Sequence, residues 1–324
     1  MVHDASLYFH SPCFDGVTSA VLALDFLEVS QNWTFKELCP VGYDRRDGWL
    51  SEKLSKPFAL VDFLYHPDAE FWADHHQTSF LKSSLKRDFK EQQNPYHIYN
   101  SRIGSCATLL WRVLPQRFNY RNTRYAELVR WAHKIDAARY RSVKEAISGR
   151  HPALNINRSL AINKDPDYSV WLVTRLRSDP LEEVGCLPEV VERSNEAQAL
   201  ITAGLERLSR SVRMDADIAV FDVDSSDVLV NRYAPYYFYP KARYSLGKVR
   251  TPDGVKITAM RNPWRHFPSI YLGKIFERFG GGGHRRVGSV FLTDSKAKDA
   301  ERVMKRLLHE IRREKPSNNT SVAA

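Results

Sequence analysis

The sequence has no apolar run that approaches the ~18 residues a bilayer span needs. Its start, Met-Val-His-Asp-Ala-Ser, lacks a basic stretch followed by an apolar one, so no signal peptide is expected and the cytoplasm is the expected compartment. Cysteine is sparse. Cys13, Cys39, Cys106 and Cys186 stand far apart with no Cys-x-x-Cys pair, which argues against a disulfide framework and against a cysteine-only zinc site. No internal repeat or low-complexity tract is visible, so repeat architectures are set aside.

What remains is an ordinary globular composition, 43% hydrophobic and 27% charged. At 324 residues, two domains are the default expectation. The formal net charge of +10 favours anionic partners such as nucleotides, oligonucleotides or polyphosphates. Charge of that size also serves solubility alone, so it gains meaning only from other signs of phosphate chemistry.

In chain order, residues 5–10 read as a buried strand, followed by a Ser-Pro-Cys-Phe-Asp-Gly loop and a helix over 17–29, where apolar residues recur at helical spacing. Residues 34–43 read as a strand. The apolar run 58–63 suits an interior parallel strand, and 70–74 is a further short one. The charged stretch 81–96 reads as a surface loop. Helices are expected over 105–114, with Ser105 as N-cap, and over 125–135. This alternation implies a parallel sheet with helices on both faces.

Residues 165–213 are mostly helical, with the longest amphipathic stretch at 188–211. A second α/β segment follows, with strands expected at 218–223, 228–230, 255–260 and 287–292 and helices at 271–279 and 296–313. The expected organisation is therefore a lobe over 1–190, a helical linker over 191–213, a smaller lobe over 214–314 and a disordered tail over 315–324. The fold class is α/β.

The chemistry-bearing residues cluster at segment ends. His10, Asp15, Asp62, Asp74, His75 and Asp136 each lie at or just beyond an apolar segment. In open α/β sheets, ligands bind at the carboxyl ends of strands. Carboxylate and imidazole together suit hard to borderline divalent ions. Two such ions about 3.5–4 Å apart can clamp the attacking and leaving oxygens of a phosphoryl displacement. Any one of these residues alone would be read as a cap, a surface carboxylate or a core histidine.

Near the other end, Phe279-Gly-Gly-Gly-Gly-His284-Arg-Arg-Val-Gly288 combines glycines, which let backbone approach an anion closely, with arginines that can fork onto phosphate. A flexible turn is the plainer reading of a glycine run by itself. Trp264 and His266 are candidates to stack on a base, and core packing is the other reading of Trp264. The aromatic cluster Tyr233-Ala-Pro-Tyr-Tyr-Phe-Tyr-Pro240 reads as a nucleic-acid path or as packed tyrosines.

Asp74-His75-His76, preceded by Val61-Asp62 and by His10…Asp15-Gly-Val-Thr-Ser-Ala, resembles the DHH phosphoesterase superfamily. The C-terminal glycine motif resembles that of the associated C-terminal domain. The superfamily includes RecJ-type exonucleases, nanoRNases that also cleave phosphoadenosine phosphate, cyclic-dinucleotide phosphodiesterases and family II pyrophosphatases.

The resemblance implies roles. His10, Asp15, Asp62, His75 and Asp136 would bind metal, with Asp62 bridging two ions. Asp165 and Asp167 compete with Asp136. Asp74 would orient its neighbours, and His76 would face the substrate phosphate. Arg261, Gly282, Gly283, His284 and Arg285 would contact substrate, with the active site in a cleft between the lobes. The cofactor would be Mn²⁺, with Mg²⁺ or Co²⁺ as alternatives, in a pair. The partner would be a nucleotide or short oligonucleotide, with no membrane involved, and a homodimer is compatible.

The sequence departs from the pattern at Cys13, where the family usually has another aspartate. A thiolate there can ligate a softer ion; a hydrogen-bonded or packed cysteine is the alternative. The implied function is hydrolysis of phosphodiester or phosphomonoester bonds. The rival readings are a non-catalytic nucleotide- or RNA-binding protein with a degraded metal site, and a polyphosphate or pyrophosphate hydrolase.

Overall fold

The computed structural model describes residues 3–314, and the expected tail, 315–324, lies outside the described residues. The chain divides into two compact units. Among the described residues, the first comprises 3–139 and 150–195, and the second 140–149 and 196–314.

The first unit runs β1 (His3–His10), α1 (Phe14–Gln31), β2 (Trp33–Val41), β3 (Phe58–Val61), β4 (Phe71–Asp74), α2 (Ser83–Gln92), β5 (His97–Tyr99), α3 (Cys106–Phe118) and α4 (Ala126–Asp136). After α5 (Val143–Ser148), which belongs to the second unit, it continues with α6 (Pro152–Ala161), α7 (Pro166–Ser178), α8 (Leu181–Val184) and the start of α9 (Pro188–Ser209). The five strands are all parallel, in the order β2-β1-β3-β4-β5.

Side-chain alternation along the strands serves two faces. Tyr8, Phe58, Leu60 and Trp72 join one apolar cluster with Trp49, Phe63 and Tyr65. The buried indoles of Trp72 and Trp49 donate to the carbonyls of Phe63 and Leu64, so neither N–H is stranded. On the other face Phe71 meets Phe26 of α1. Helix α1 is buried through Phe14–Leu24 and packs against α3, α4 and α7 as well as the sheet, which fits a segment with almost no charge.

The stretch expected to be a loop over 81–96 contains α2 instead. Leu85 and Phe89, four residues apart, share one helical face and dock on the Trp72 cluster, and Phe89 lies 5.6 Å from Trp72. The charged residues between them cover the solvent side.

The second unit has a six-stranded sheet of order β10-β11-β9-β8-β7-β6. Its elements are β6 (Arg213–Asp215), β7 (Ile218–Asp224), α10 (Ala234–Phe238), β8 (Tyr244–Thr251), β9 (Gly254–Arg261), α11 (Leu272–Glu277), β10 (Gly282–His284), β11 (Val287–Thr293), α12 (Asp294–Ala297) and α13 (Ala300–Arg313). Only the β7–β8 pair is parallel. Residues Leu272, Phe276, Met304 and Leu307 of α11 and α13 seal one face of this sheet.

The strand expected at 228–230 is absent. The Leu229 amide donates to the Leu200 carbonyl on α9, so the backbone of this segment is bonded to a helix. The single helix expected over 296–313 is broken between α12 and α13.

Candidate metal centre

The sheet order explains why distant residues meet. Strands β1, β3 and β4 are neighbours and parallel, so their carboxyl ends open on one edge. Phe9 pairs with Val61 and Val61 with Ala73, so the next residues, His10, Asp62 and Asp74, stand level across three strands. His75 and His76 follow β4 directly. Asp62 turns out of β3 with φ 58°, a left-handed conformation that non-glycine residues seldom adopt and that recurs where chemistry is done.

Asp15 reaches the same edge from the first turn of α1. Gly16 allows this, because a Cβ there would lie 2.0 Å from the His10 carbonyl oxygen. Asp136 arrives from the last turn of α4. The competing Asp165 and Asp167 are exposed, and Asp165 caps α7 by accepting from the Asp167 amide at 2.9 Å.

The ligand-capable atoms form overlapping groups. His10, Cys13 and Asp62 make one, Asp15, His75 and Asp136 a second, and Asp62, Asp74, His75 and His76 a third; within each, the atoms lie within 4.8 Å of one another. Asp62 links them. Its Oδ2 is 3.3 Å from His10 Nδ1, while its Oδ1 is 3.7 Å from His75 Nε2.

Hydrogen bonds to the backbone fix two of these groups. Asp15 accepts from the amides of Cys106 at 2.6 Å and Ala107 at 3.0 Å, the first residues of α3. A carboxylate at a helix N-terminus satisfies donors that have no partner within the helix. His75 Nδ1 lies 3.1 Å from the Ile103 carbonyl, so it must donate. In the neutral ring this leaves Nε2 as a bare lone pair. That lone pair faces three carboxylates: Asp136 at 3.3 Å, and Asp15 and Asp62 at 3.7 Å each.

Neither His75 Nε2 nor Asp62 Oδ1 has a hydrogen-bond partner, and both residues are buried, at 8% and 1% exposure. Buried polar atoms are nearly always paired. Buried nitrogen and oxygen atoms that converge without hydrogen-bond partners are what a cation requires.

Asp74 plays another part. Its Oδ1 accepts from the amide of His75 at 2.7 Å and the ring Nδ1 of His76 at 2.8 Å, and Ser79 Oγ donates to its Oδ2. It holds the two histidines from behind.

The electrostatics follow from crowding. Burial, then Asp136, pushes the Asp15 carboxyl up to about 6, against the pull of His75 and the α3 amides. Burial and Asp15 drive Asp62 well above the carboxylate range. Burial also works on Asp74, but His76, His75 and Ser79 outweigh it and hold that carboxyl low. Burial lowers His76, yet Asp74 prevails and lifts the ring to about 9, so it is an imidazolium at neutral pH. Burial, then Asp136 and Asp15, push the Cys13 thiol up to about 12, against the amides of Gly16 and Asp15. A bound cation would counter the upward displacements of Asp15, Asp62 and Cys13, because it favours the ionised form of each group around it. The donor set of carboxylate and imidazole fits divalent ions of the hard to borderline kind.

Nothing in the sequence marks the α3 amides, the Ile103 carbonyl or Ser79 as parts of the site. Ser105 was the one available signal. It caps α3, accepting from the Thr108 amide, and so marks the helix start on which Asp15 sits.

The remaining candidates belong to the second unit. The Arg261 guanidinium donates to the carbonyls of Asn262 (3.0 Å), Arg265 (2.8 Å) and Phe267 (3.2 Å) and lies 4.3 Å over the Phe267 ring, bracing the loop after β9. The end of the glycine run forms the β10–β11 hairpin, and a Cβ at Gly282 would meet nothing within 4 Å. Gly282 and Gly283 pair with Ser289 and Gly288, and Gly283 has φ 143° with a Cβ position 2.3 Å from the Val287 carbonyl oxygen. The Arg285 carbonyl accepts from Leu272, and the His284 side chain lies outside the described residues. Trp264 donates to the Tyr140 carbonyl and packs on Tyr233 and Tyr236, the core-packing alternative of the two considered. His266 is exposed.

No protein-family model matches the sequence, and no curated protein matches it either. Solved structures do. The chain resembles PggH, a pGpG-specific phosphodiesterase of Vibrio cholerae, with a TM-score of 0.68, 19% identity, and 95% of this chain and 99% of that one covered. It resembles RecJ of Thermus thermophilus solved with Mn²⁺, with a TM-score of 0.55, 16% identity, and 94% of this chain against 52% of that one. An exopolyphosphatase-related protein of Bacteroides fragilis matches with a TM-score of 0.51 and 12% identity, over 95% and 92% of the two chains. The fold is thus the one shared by these proteins: a parallel five-stranded α/β unit followed by a mixed-sheet unit.

Proposed function

We propose that the chain is a divalent-metal-dependent phosphoesterase of the DHH type, acting on short oligonucleotides or small nucleotides. The observation that carries the reading is the pair of buried, unpartnered atoms, His75 Nε2 and Asp62 Oδ1, set among carboxylates at the carboxyl edge of a parallel sheet. The fold shared with PggH and RecJ supports it, as does the presence of Mn²⁺ in the RecJ structure.

His10 and Asp62 on one side and Asp15, His75 and Asp136 on the other would hold two cations, with Asp62 common to both. Bound there, divalent ions would supply Lewis acidity toward a phosphoryl oxygen and acidify a water. The protein's own groups would do the rest. Asp74 locks the His76 ring and the His75 backbone in place, and the Ile103 carbonyl holds the His75 ring. His76, charged at neutral pH and with Nδ1 committed to Asp74, would offer Nε2–H to a phosphate oxygen and stabilise charge developing there. Asp15, pinned by α3, would keep its face of the site rigid.

The test is a Mn²⁺-dependent activity screen over pGpG, oligoribonucleotides, phosphoadenosine phosphate, cyclic dinucleotides and polyphosphate. Turnover of a nucleotide substrate is expected, with Asp62→Ala and His75→Ala folded and inactive. Turnover of polyphosphate alone would favour the second reading, to which the likeness to the exopolyphosphatase-related protein points. Metal binding without any turnover would favour a nucleotide-binding role. Full activity in Asp62→Ala would dismiss the site.

A further inference from the structure

The metal-centre reading leaves one ligand-capable group without a role. Cys13, the N-cap of α1, stands between His10, the last residue of β1, and Asp15 in the first turn of α1; its side chain closes no capping hydrogen bond, and the Gly16 and Asp15 amides face its sulfur. Its sulfur, a ring nitrogen of His10 and a carboxylate oxygen of Asp62 all lie within 4.8 Å of one another. Asp15 does not belong to this group. Both its oxygens are held by α3 amides, and it joins His75 and Asp136. The two sides of the centre therefore differ in chemistry: nitrogen and oxygen around Asp15, nitrogen, oxygen and sulfur around Cys13. The almost fully buried Asp62, whose Oδ1 lacks a partner, belongs to the sulfur-bearing group as well.

We propose that Cys13 Sγ is a ligand of the cation position next to His10, and that it biases this position toward borderline ions such as Zn²⁺ and Co²⁺ over Mn²⁺ and Mg²⁺. Thiolate is a soft donor and raises affinity for such ions, whereas an all-oxygen-and-nitrogen set suits the harder ones. On binding, the thiol proton leaves to solvent as the sulfur–metal bond forms, so no oxidant or reductant takes part. The inference rests on the metal-centre reading, and its test separates the two.

The experiment is a Co²⁺ titration of the full chain, followed by calorimetry and by absorption in the visible and near ultraviolet. Cobalt d–d bands together with a near-ultraviolet thiolate-to-cobalt charge-transfer band are expected. Cys13→Ser and Cys13→Asp should lose the charge-transfer band while still binding Co²⁺. In Cys13→Asp the ratio of Mn²⁺ to Zn²⁺ affinity should rise on the order of tenfold or more. Cys106→Ala is the control, because the Cys106 thiol is buried and donates to the Ala73 carbonyl at 3.2 Å; it should keep the band. Co²⁺ binding with no charge-transfer band overturns the role of Cys13 and leaves the metal centre standing. No Co²⁺, Mn²⁺ or Zn²⁺ binding overturns both. Should Cys13→Ser fail to fold, the wild-type spectrum decides alone.

Discussion

His75 Nε2 stands 3.3 Å from Asp136 Oδ2, a ring nitrogen against a carboxylate, with the far side of the ring tied to the Ile103 carbonyl. Two acceptors do not rest against each other unless a proton or a metal ion lies between them. In metal-free protein, addition of Mn²⁺ should therefore raise the melting temperature. A free ion at 100 times its dissociation constant adds about 2.7 kcal/mol, a shift of several degrees for a chain of this size. Differential scanning calorimetry with and without EDTA checks this, and an unchanged Tm would count against the site.

Asp62→Asn separates chemistry from stability. The amide can accept from His10 through its oxygen and direct its NH₂ toward His75 Nε2 and the neighbouring carboxylates, which removes a buried ionisable carboxyl. Metal-dependent activity should disappear. The metal-free protein should gain on the order of 1–3 kcal/mol, because a crowded carboxyl is replaced by a neutral donor. Urea denaturation in EDTA measures the sign.

The Asp15 carboxyl, raised to about 6, gives a pH signature. Its ordinary value is near 3.9, so between about 4 and 6 the folded state binds more protons than the unfolded one. Stability of the metal-free protein should then fall as pH rises through that window, by an amount on the order of 3 kcal/mol. Saturating metal should abolish or invert the slope. Denaturation midpoints at pH 4, 5, 6 and 7 in EDTA provide the check.

His76 carries the opposite dependence. Its ring is raised to about 9 by Asp74, so this pair stabilises the fold fully below about 6.5 and the contribution is lost as pH rises toward 9. Binding of a phosphate substrate should weaken over the same alkaline range, and His76→Gln should flatten that limb. An NMR titration of the His76 ring gives the midpoint directly.

Gly16→Ala is expected to damage the site through the backbone. Its Cβ would fall 2.0 Å from the His10 carbonyl oxygen, so either β1 or α1 must move. Overpacking of this kind costs about 1–3 kcal/mol. Because His10 and Asp15 flank the contact, Mn²⁺ affinity should fall as well, which calorimetry would register.

Much of the first unit was legible because its strands are short, nearly pure apolar runs, and in a parallel sheet such runs deliver whatever follows them to one edge. His10, Asp62 and Asp74 could be placed on that ground alone. The supports of Asp15 and His75 could not, because a backbone amide or carbonyl looks the same behind every residue type. Helix α2 was hidden by its charges, with only Leu85 and Phe89 to report its buried face. Strand β8 was missed because Gly247 interrupts its pattern; a Cβ at that glycine would lie 2.0 Å from the Phe221 ring. The apolar residues at 228–230 mimicked a strand while leaning on α9.

The seating of Asp15 on the first amides of α3 has a consequence for descent. Under the proposed function that carboxylate would answer to two demands, architecture and reactivity, so a lineage that abandoned catalysis would still be penalised for altering it. Asp62 Oδ1 and His75 Nε2 hold up nothing in the scaffold, and drift would erase them first. Among distant cousins of this chain, the survival of those two side chains, rather than of Asp15, is the better witness to a working enzyme.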